Sequence, residues 1–485
     1  MSKKTELIIL LAILAIAAFL RFYQISGYMT FLGDEGRDVL VVKRMIVDHK
    51  FTLLGPTASV GGFFLGPIYY YFMLPFLWLF KLDPVGPAVM VALFGLATVF
   101  LVYKVGKDFF NAGVGLLAAF FYTISPVVIY YSRTSWNPNL MPFFALLIIW
   151  LTWKTVVEKR PIFLPLIGFF FGILIQLHYL ATFLMVVVAL FLVIYGRRLI
   201  HLKHWLGGVA GFAVGWSPFL LFELRHGFPN LRTLYRFILF GEETGFNLKT
   251  FFFNLTEVPI RVFGTLLVNN SRPLGLLLLA GSLWVLFSKR LTLKLMAIWL
   301  GVGVFLFGFY QKGIYDYYFV FMFPLPFLLT ALLITRVSQF PRGKFLATLI
   351  FSALLLINVK NVPIWRGPNR QAEQAQKVAR LIFDQAGGQP FNFALITGHN
   401  SDHAYRYFLE IWGNPPITVE NFANDPERKT VTDQLFVVCE ILPCSPLGHP
   451  LWEIAGFGRA EIEQDWLVSV VRVYKLKHWQ GNEKP

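Results

Sequence analysis

Apolar residues in this chain come in blocks rather than in alternating stripes. Runs of about 15–20 apolar residues recur along most of its length, separated by short polar or basic segments. The first is Leu7–Leu20. It is followed by 85–104, 112–131, 139–157, 161–178, 179–195, 205–222, 273–288, 292–310, 316–335 and 344–358. Blocks of this length predict membrane-crossing helices. Pro67–Phe80 is also apolar and aromatic, but its 14 residues fall short of the roughly 17 a span needs. It predicts a helix that lies on or dips into the membrane surface. Beyond about Lys360 the pattern changes. Helices are predicted over Asn369–Gln385 and Asp402–Trp412, and strands over Phe391–Thr397, Gln434–Cys439 and Leu467–Leu476, the strands from apolar, β-branched runs bounded by Gly, Pro and Asn.

The predicted fold class is therefore mainly α: a polytopic bundle of about eleven spans with outer-surface juxtamembrane helices and a small C-terminal α/β domain. The expected divisions are 1–222, a transmembrane module with a first outer loop at 23–84; 223–272, an outer loop with interfacial helices; 273–358, the last transmembrane helices; and 359–485, a soluble extracytoplasmic domain. Lys3-Lys4 precede the first span and no small-residue cleavage pattern follows it, so a retained helix is expected rather than a signal peptide. With the N-terminus inside, the clusters at Lys104/Lys107, Lys154/Lys159/Arg160, Arg197/Arg198/Lys203, Lys289/Arg290/Lys294 and Arg336/Arg342/Lys344 all fall inside as well. The C-terminal domain then falls outside. Composition agrees: 56% hydrophobic, 14% charged and a mean hydropathy of +0.61, against about 25% charged in soluble domains. The net charge of +16 sits largely in short loops as an orientation signal. No basic stripe points to nucleic acid. Cys439 and Cys444 are the only cysteines; on the outer side they can form a disulfide or remain free thiols.

Charge at a membrane surface is costly and so marks function. The densest case is Phe31-Leu-Gly-Asp-Glu-Gly-Arg-Asp38, just after the first span. Asp34 and Glu35 suit general-base chemistry or a metal; the alternative is a helix start, with Asp34 as cap and Glu35 favoured by the dipole. Val39–Lys50 reads as an amphipathic interfacial helix. Gly55–Gly62 allows a tight backbone path, and Tyr69 and Tyr70 in Gly66-Pro-Ile-Tyr-Tyr-Tyr71 suit a sugar or an interface belt. In Tyr130–Asn139, Arg133 could hold a phosphate and Trp136 could stack on a sugar; the alternative is a polar turn with an interfacial Trp and a helix starting after Asn137-Pro138. Gln176-Leu-His-Tyr179 places His178 and Tyr179 at a tight hairpin. Phe222–Phe228 carries Arg225 and His226, suited to an anionic head group or to snorkelling. The same loop continues with Arg232, Arg236, Glu242, Glu243 and Arg261. Lys312, Tyr315 and Asp316 could line one cavity, or the tyrosines could form an aromatic belt. There is no Walker A loop, Rossmann fingerprint, His-Glu-x-x-His motif or nucleophile elbow.

With these motifs in order, the chain resembles the lipid-linked-sugar-dependent glycosyltransferases of the GT-C fold. The nearest branch is that of the protein O-mannosyltransferases, the aminoarabinose transferases acting on lipid A, and their bacterial and archaeal relatives. The resemblance rests on Asp34-Glu35 after the first helix, Pro67-Ile-Tyr-Tyr, Ser132-Arg-x-x-x-Asn-Pro138, Gln176-x-His-Tyr179 and the central outer loop, and it covers roughly residues 5–358. It implies a polyprenyl- or dolichyl-phosphate sugar donor and a hydroxyl acceptor on a protein, glycan or lipid. It also implies Asp34 as catalytic base, Glu35 positioning the acceptor or a basic partner, and displacement with inversion. Arg37, Arg133 and Arg225 are then candidates to stabilise the leaving phosphate. Metal use differs across the wider fold, so no metal ligand is assigned and a divalent cation stays open. The C-terminal tail matches none of the well-known lumenal modules, and Leu65-Gly66 stands where the aminoarabinose branch has a Lys. Membrane lipids are the expected surroundings, in a plasma or inner membrane. Two other readings are a transporter or flippase of lipid-linked sugars and a non-catalytic membrane protein that binds cell-wall polymer. The first would predict inverted repeats and broken charged helices; the second leaves Asp34-Glu35 without a reason.

Overall fold

The computed structural model describes residues 1–58, 61–241 and 245–481, with Ile238 in its backbone alone. Glu242 and Glu243 of the central loop, and Ser59 and Val60 of the glycine-rich segment, lie outside the described residues. Two compact units emerge. One comprises Met1–Ile25, Lys50–Phe76 and Gly86–Gly367; the other comprises Ser26–His49, Leu77–Val85 and Pro368–Pro485.

The first unit is mainly helical. Lys3–Phe22, Val85–Phe109, Asn137–Val156 and Gly343–Lys360 are each long and apolar enough to cross a membrane. Ala112–Ile124, Pro161–Leu177, Ala181–Gly196 and Leu291–Phe307 are apolar but shorter. Three of the predicted runs are interrupted. The run 112–131 stops at Ile124 and resumes as a short helix, Pro126–Tyr131, because Pro126 has no N–H to continue the ladder. The run 205–222 divides into Leu202–Gly215 and Ser217–His226, bent by 80°, with Pro218 in the first turn of the second helix. The run 316–335 divides into a 3₁₀ segment, Asp316–Met322, and Pro324–Val337, bent by 62°; Pro324 is the break. Within the central loop, Pro229–Phe240 and Leu248–Leu267 are helices, the latter meeting Arg272–Leu286 at 105°.

Small residues let some of these helices approach closely, as membrane packing without a hydrophobic driving force requires. Between Leu164–Leu177 and Leu202–Gly215, a Cβ on Gly168 would lie 1.9 Å from the Gly208 carbonyl oxygen, and one on Gly211 2.0 Å from that of Pro165. At the same interface the buried Gln176 amide donates to the Gly172 and Gly215 carbonyls (2.7 and 2.8 Å).

The second unit is a four-stranded sheet with helices. Strand order is β1 (Asn392–Ile396), β2 (Gln434–Cys439), β4 (Val471–His478), β3 (Ala460–Val468), with β1 and β2 parallel and the rest antiparallel. Helices Gln371–Ala386 and His403–Ile411 fall close to prediction. The central β2 is buried along its whole length, as its apolar run suggests. Ala394, Leu435, Val437, Phe457 and Leu476 form the core of one face. The predicted strand 467–476 is corrected: it straddles a hairpin. Ser469 turns the chain with φ +58°, and β3 lies before it. The missed strand is a charged edge, Ala-Glu-Ile-Glu-Gln-Asp-Trp-Leu-Val, whose Glu461 and Glu463 face Lys477 and Lys475 (3.2 and 3.1 Å). Charge on an edge strand discourages pairing with other chains and also hides the strand from apolar pattern reading. Cys439 and Cys444 are joined as a disulfide.

Candidate active site

The acidic motif belongs to the second unit and forms the first turn of a helix, Gly33–Val47. A helix start leaves its first amides without intrahelical acceptors. Here three successive N–H groups are met by three side chains. Phe31 donates to Gln371 Oε1 (3.2 Å), Leu32 to Glu35 Oε2 (3.0 Å) and Gly33 to Asn400 Oδ1 (2.8 Å). The N-cap residue is Leu32, whose side chain has no acceptor. The alternative reading with Asp34 as cap does not hold: Glu35 reaches back to the cap amide, and the C-terminal segment supplies the rest.

This division gives the two carboxylates different environments. Asp34 keeps 55% of its side chain exposed and pairs with Arg37 Nη1 at 2.8 Å. Arg37 also pairs with the fully buried Asp38 at 2.8 Å. Glu35 is buried. Burial pushes its pKa up to about 7, with the charges of Asp34 and Asp38 adding and the Leu32 amide opposing.

Val39, Leu40, Val42 and Met45 of the acidic helix are buried, and the helix packs against helix His403–Ile411. Close approach is possible because Gly36 has no side chain: a Cβ there would lie 2.3 Å from the Ala404 nitrogen. Phe31 meets Tyr407 and Phe408 edge-on. Arg44 grips Glu410 with two bonds (3.1 and 2.8 Å), and Lys43 reaches the same carboxylate at 3.3 Å. His403 is held below its ordinary pKa by burial; Asp402 opposes this and Arg37 adds to it.

The other candidate residues lie in the first unit, where several distant loops meet. Buried Tyr69 shares a hydrogen bond with Ser135 at 2.7 Å, and Tyr70 is buried beside it in sequence. Asn137 donates to the Leu177 carbonyl, joining the second and third polar loops, and begins the helical turn expected after Asn137-Pro138. Arg133 is buried and donates to the Tyr23 carbonyl at 2.5 Å. His178 accepts from the Leu180 amide at 3.2 Å and stacks on Tyr179 at 4.4 Å, while Tyr317 and Tyr318 meet it edgewise or tilted. Trp136 packs against Tyr317 at 4.5 Å. Tyr69, Asn137, His178 and Tyr179 thus adjoin one aromatic and polar assembly. Asp316 pairs with Arg261, whereas Lys312 and Tyr315 are exposed. Arg225 and His226 are exposed at the end of helix Ser217–His226. The buried group there is Glu223, which accepts from Asn230 Nδ2 (2.8 Å) and the Leu231 amide (3.0 Å). Beside Tyr179, a recess of about 50 Å³ is walled by Phe63, Leu65, Trp216, Phe219 and Leu234.

Residues 65–222 match the family model of the dolichyl-phosphate-mannose-protein mannosyltransferases. The match begins after the acidic motif. Among solved structures, ArnT from Cupriavidus metallidurans bound to undecaprenyl phosphate is similar over 98% of both chains, with TM-score 0.65 and 14% identity. The archaeal oligosaccharyltransferase AglB from Archaeoglobus fulgidus, in complex with an inhibitory peptide and a dolichol-phosphate, is similar over 90% of this chain and 69% of its own, with TM-score 0.55 and 13% identity. The chain has the GT-C fold. No curated protein sequence matches it. Family match and fold together point to a membrane glycosyltransferase.

Sequence reading of this GT-C chain missed Gln371, Asn400 and Glu440 around the acidic turn, and Glu223 and the fully buried Arg21 in the helical unit. Arg21 ends an apolar helix and could have been flagged by the cost of burying it. Glu223 and Glu440 likewise interrupt apolar runs; Gln371 and Asn400 sit in ordinary polar surroundings and carry no local signal. Among the described residues, no three His, Cys, Asp or Glu side chains gather as a metal ion would need.

Proposed function

We propose that the protein transfers a sugar from a polyprenyl-phosphate donor to a hydroxyl acceptor, with Asp34 as general base. The supporting observation is the contrast within the acidic turn: Asp34 is solvent-accessible and paired with one arginine, while its neighbour Glu35 is buried and engaged in capping. A hydroxyl is a weak nucleophile, and an oriented carboxylate assists its attack. The acceptor oxygen bonds to the anomeric carbon as the bond to the phosphate oxygen breaks. The hydroxyl proton passes to Asp34, and the lipid phosphate leaves with the bonding electrons. Direct displacement inverts the anomeric centre and needs no enzyme nucleophile. Glu35 acts on the turn rather than on the acceptor proton, and Arg37 orients Asp34.

In the helical unit, Arg133 is our candidate for the leaving phosphate. Tyr69, Tyr70, Asn137, His178, Tyr179, Tyr315 and Asp316 are candidates for sugar and head-group contacts. Arg225, His226 and Lys312, being exposed, fit attraction of an anionic head group. The apolar recess beside Tyr179 suits an isoprenoid chain. We further propose a plasma or inner membrane location with the N-terminus cytoplasmic and residues 359–485 extracytoplasmic, following the basic loops.

The test is transfer from a panel of radiolabelled polyprenyl-phosphate sugars in membranes. Asp34→Asn should lower turnover by about 10²–10⁴-fold with the protein still folded. Full turnover in that variant would overturn the base assignment.

A further inference from the structure

We infer that Asn400, held in place by Glu440, is a positioning residue for the Asp34–Glu35 turn. The inference rests on the reading of Asp34 as base. Asn400 Oδ1 accepts from both the Gly33 amide (2.8 Å) and the Ser401 amide (2.9 Å). Its Nδ2 donates to Glu440 at 2.9 and 3.2 Å. Glu440 also accepts from Thr397 Oγ1 (2.7 Å) and Tyr405 OH (2.8 Å). The carboxamide therefore has its oxygen fixed toward the helix start by an anchored carboxylate on its nitrogen. Gly33 is the first helical residue, and Asp34 and Glu35 follow it directly. A shift of Asn400 moves the backbone that aims both carboxylates. The Leu32 side chain offers no acceptor for the Gly33 amide, and Glu35 is already engaged with the Leu32 amide. The helix carrying the proposed base is thus completed by a residue 367 positions away.

The arrangement predicts a specific rescue. Asn400→Asp keeps the acceptor for Gly33 but sets a carboxylate against Glu440; adding Glu440→Gln restores a donor–acceptor pair of reversed polarity. With the full-length enzyme and the donor identified above, Asn400→Ala and Asn400→Asp should lower kcat by about 10- to 100-fold with KM changed less than about twofold. The double variant Asn400→Asp/Glu440→Gln should recover most of the loss. Amide hydrogen exchange over residues 31–36 should rise in the single variants and return toward wild type in the double. No rescue by the double variant, or a loss confined to KM, would overturn the proposal. If Asp34→Asn retains wild-type turnover, the base assignment fails on its own. The exchange data then decide the positioning claim: protection lost in Asn400→Ala and restored by the double variant supports it, and unchanged protection refutes it.

Discussion

Asp34 and Glu35 are neighbours in sequence and opposites in environment, so one carboxylate stays in water while the other shifts toward neutrality. Glu35 has a direct thermodynamic consequence. Its folded pKa of about 7 exceeds its ordinary value of 4.5, so the folded protein binds more protons than the unfolded chain between those values. The stability this group contributes is fully present below about pH 4.5 and is lost as pH rises through about 7. The shift corresponds to about 3 kcal/mol over that window. Glu35→Gln keeps an acceptor for the Leu32 amide and removes the titration. Its thermal midpoint should therefore fall less between pH 5 and 8 than that of wild type; parallel curves would refute the burial argument. At this scale the sequence exposed which residues were unusual but not which did what. Asp34 and Glu35 stood out by their adjacency after an apolar helix, but which groups meet the helix-start amides was not legible, because a cap acceptor need not be local.

Among the elements, the acidic helix shows a local pattern that is legible and a partner that is not. Its apolar spacing predicted an amphipathic helix; its packing on helix His403–Ile411 joins it to a distant segment. Gly36 sets that approach. Gly36→Ala would bring a methyl group to 2.3 Å from the Ala404 backbone nitrogen, which cannot yield as a flexible side chain can. We expect about 1–3 kcal/mol of destabilisation, read as a lowered thermal midpoint. Gly301→Ala, in open space on helix Leu291–Phe307, should be neutral or stabilising by under about 1 kcal/mol. Equal losses in the two variants would show that close packing at Gly36 is not the cause. The broken spans at Pro126, Pro218 and Pro324 were legible in principle, since each break coincides with a proline. Hydropathy blocks alone do not register backbone donors.

For the molecule as a whole, the prediction concerns orientation. Both natural cysteines are disulfide-bonded, so single introduced thiols report sidedness cleanly. Lys289 and Glu427 are exposed. Glu427→Cys should react with an impermeant maleimide on intact cells, and Lys289→Cys only after permeabilisation. The reverse pattern would overturn the arrangement drawn from the basic loops. The helical fold class and the α/β character of the C-terminal region were readable from block length and strand composition, which are properties of short segments. The edge strand Ala460–Val468 was not, because its charges serve solubility rather than burial.

By itself, then, the amino-acid sequence determined that this is a membrane chain of many helices with a small mixed domain, and that Asp34-Glu35 is its most unusual polar pair. Hydrophobic block length and charge placement act locally and can be read in order. Only the tertiary structure decided that the acidic turn is capped by Gln371 and Asn400, that Glu35 is buried while Asp34 is not, and that the aromatic residues of four separate loops share one assembly. Those outcomes depend on hydrogen bonds and close contacts between residues far apart in the chain, whose geometry no local pattern encodes.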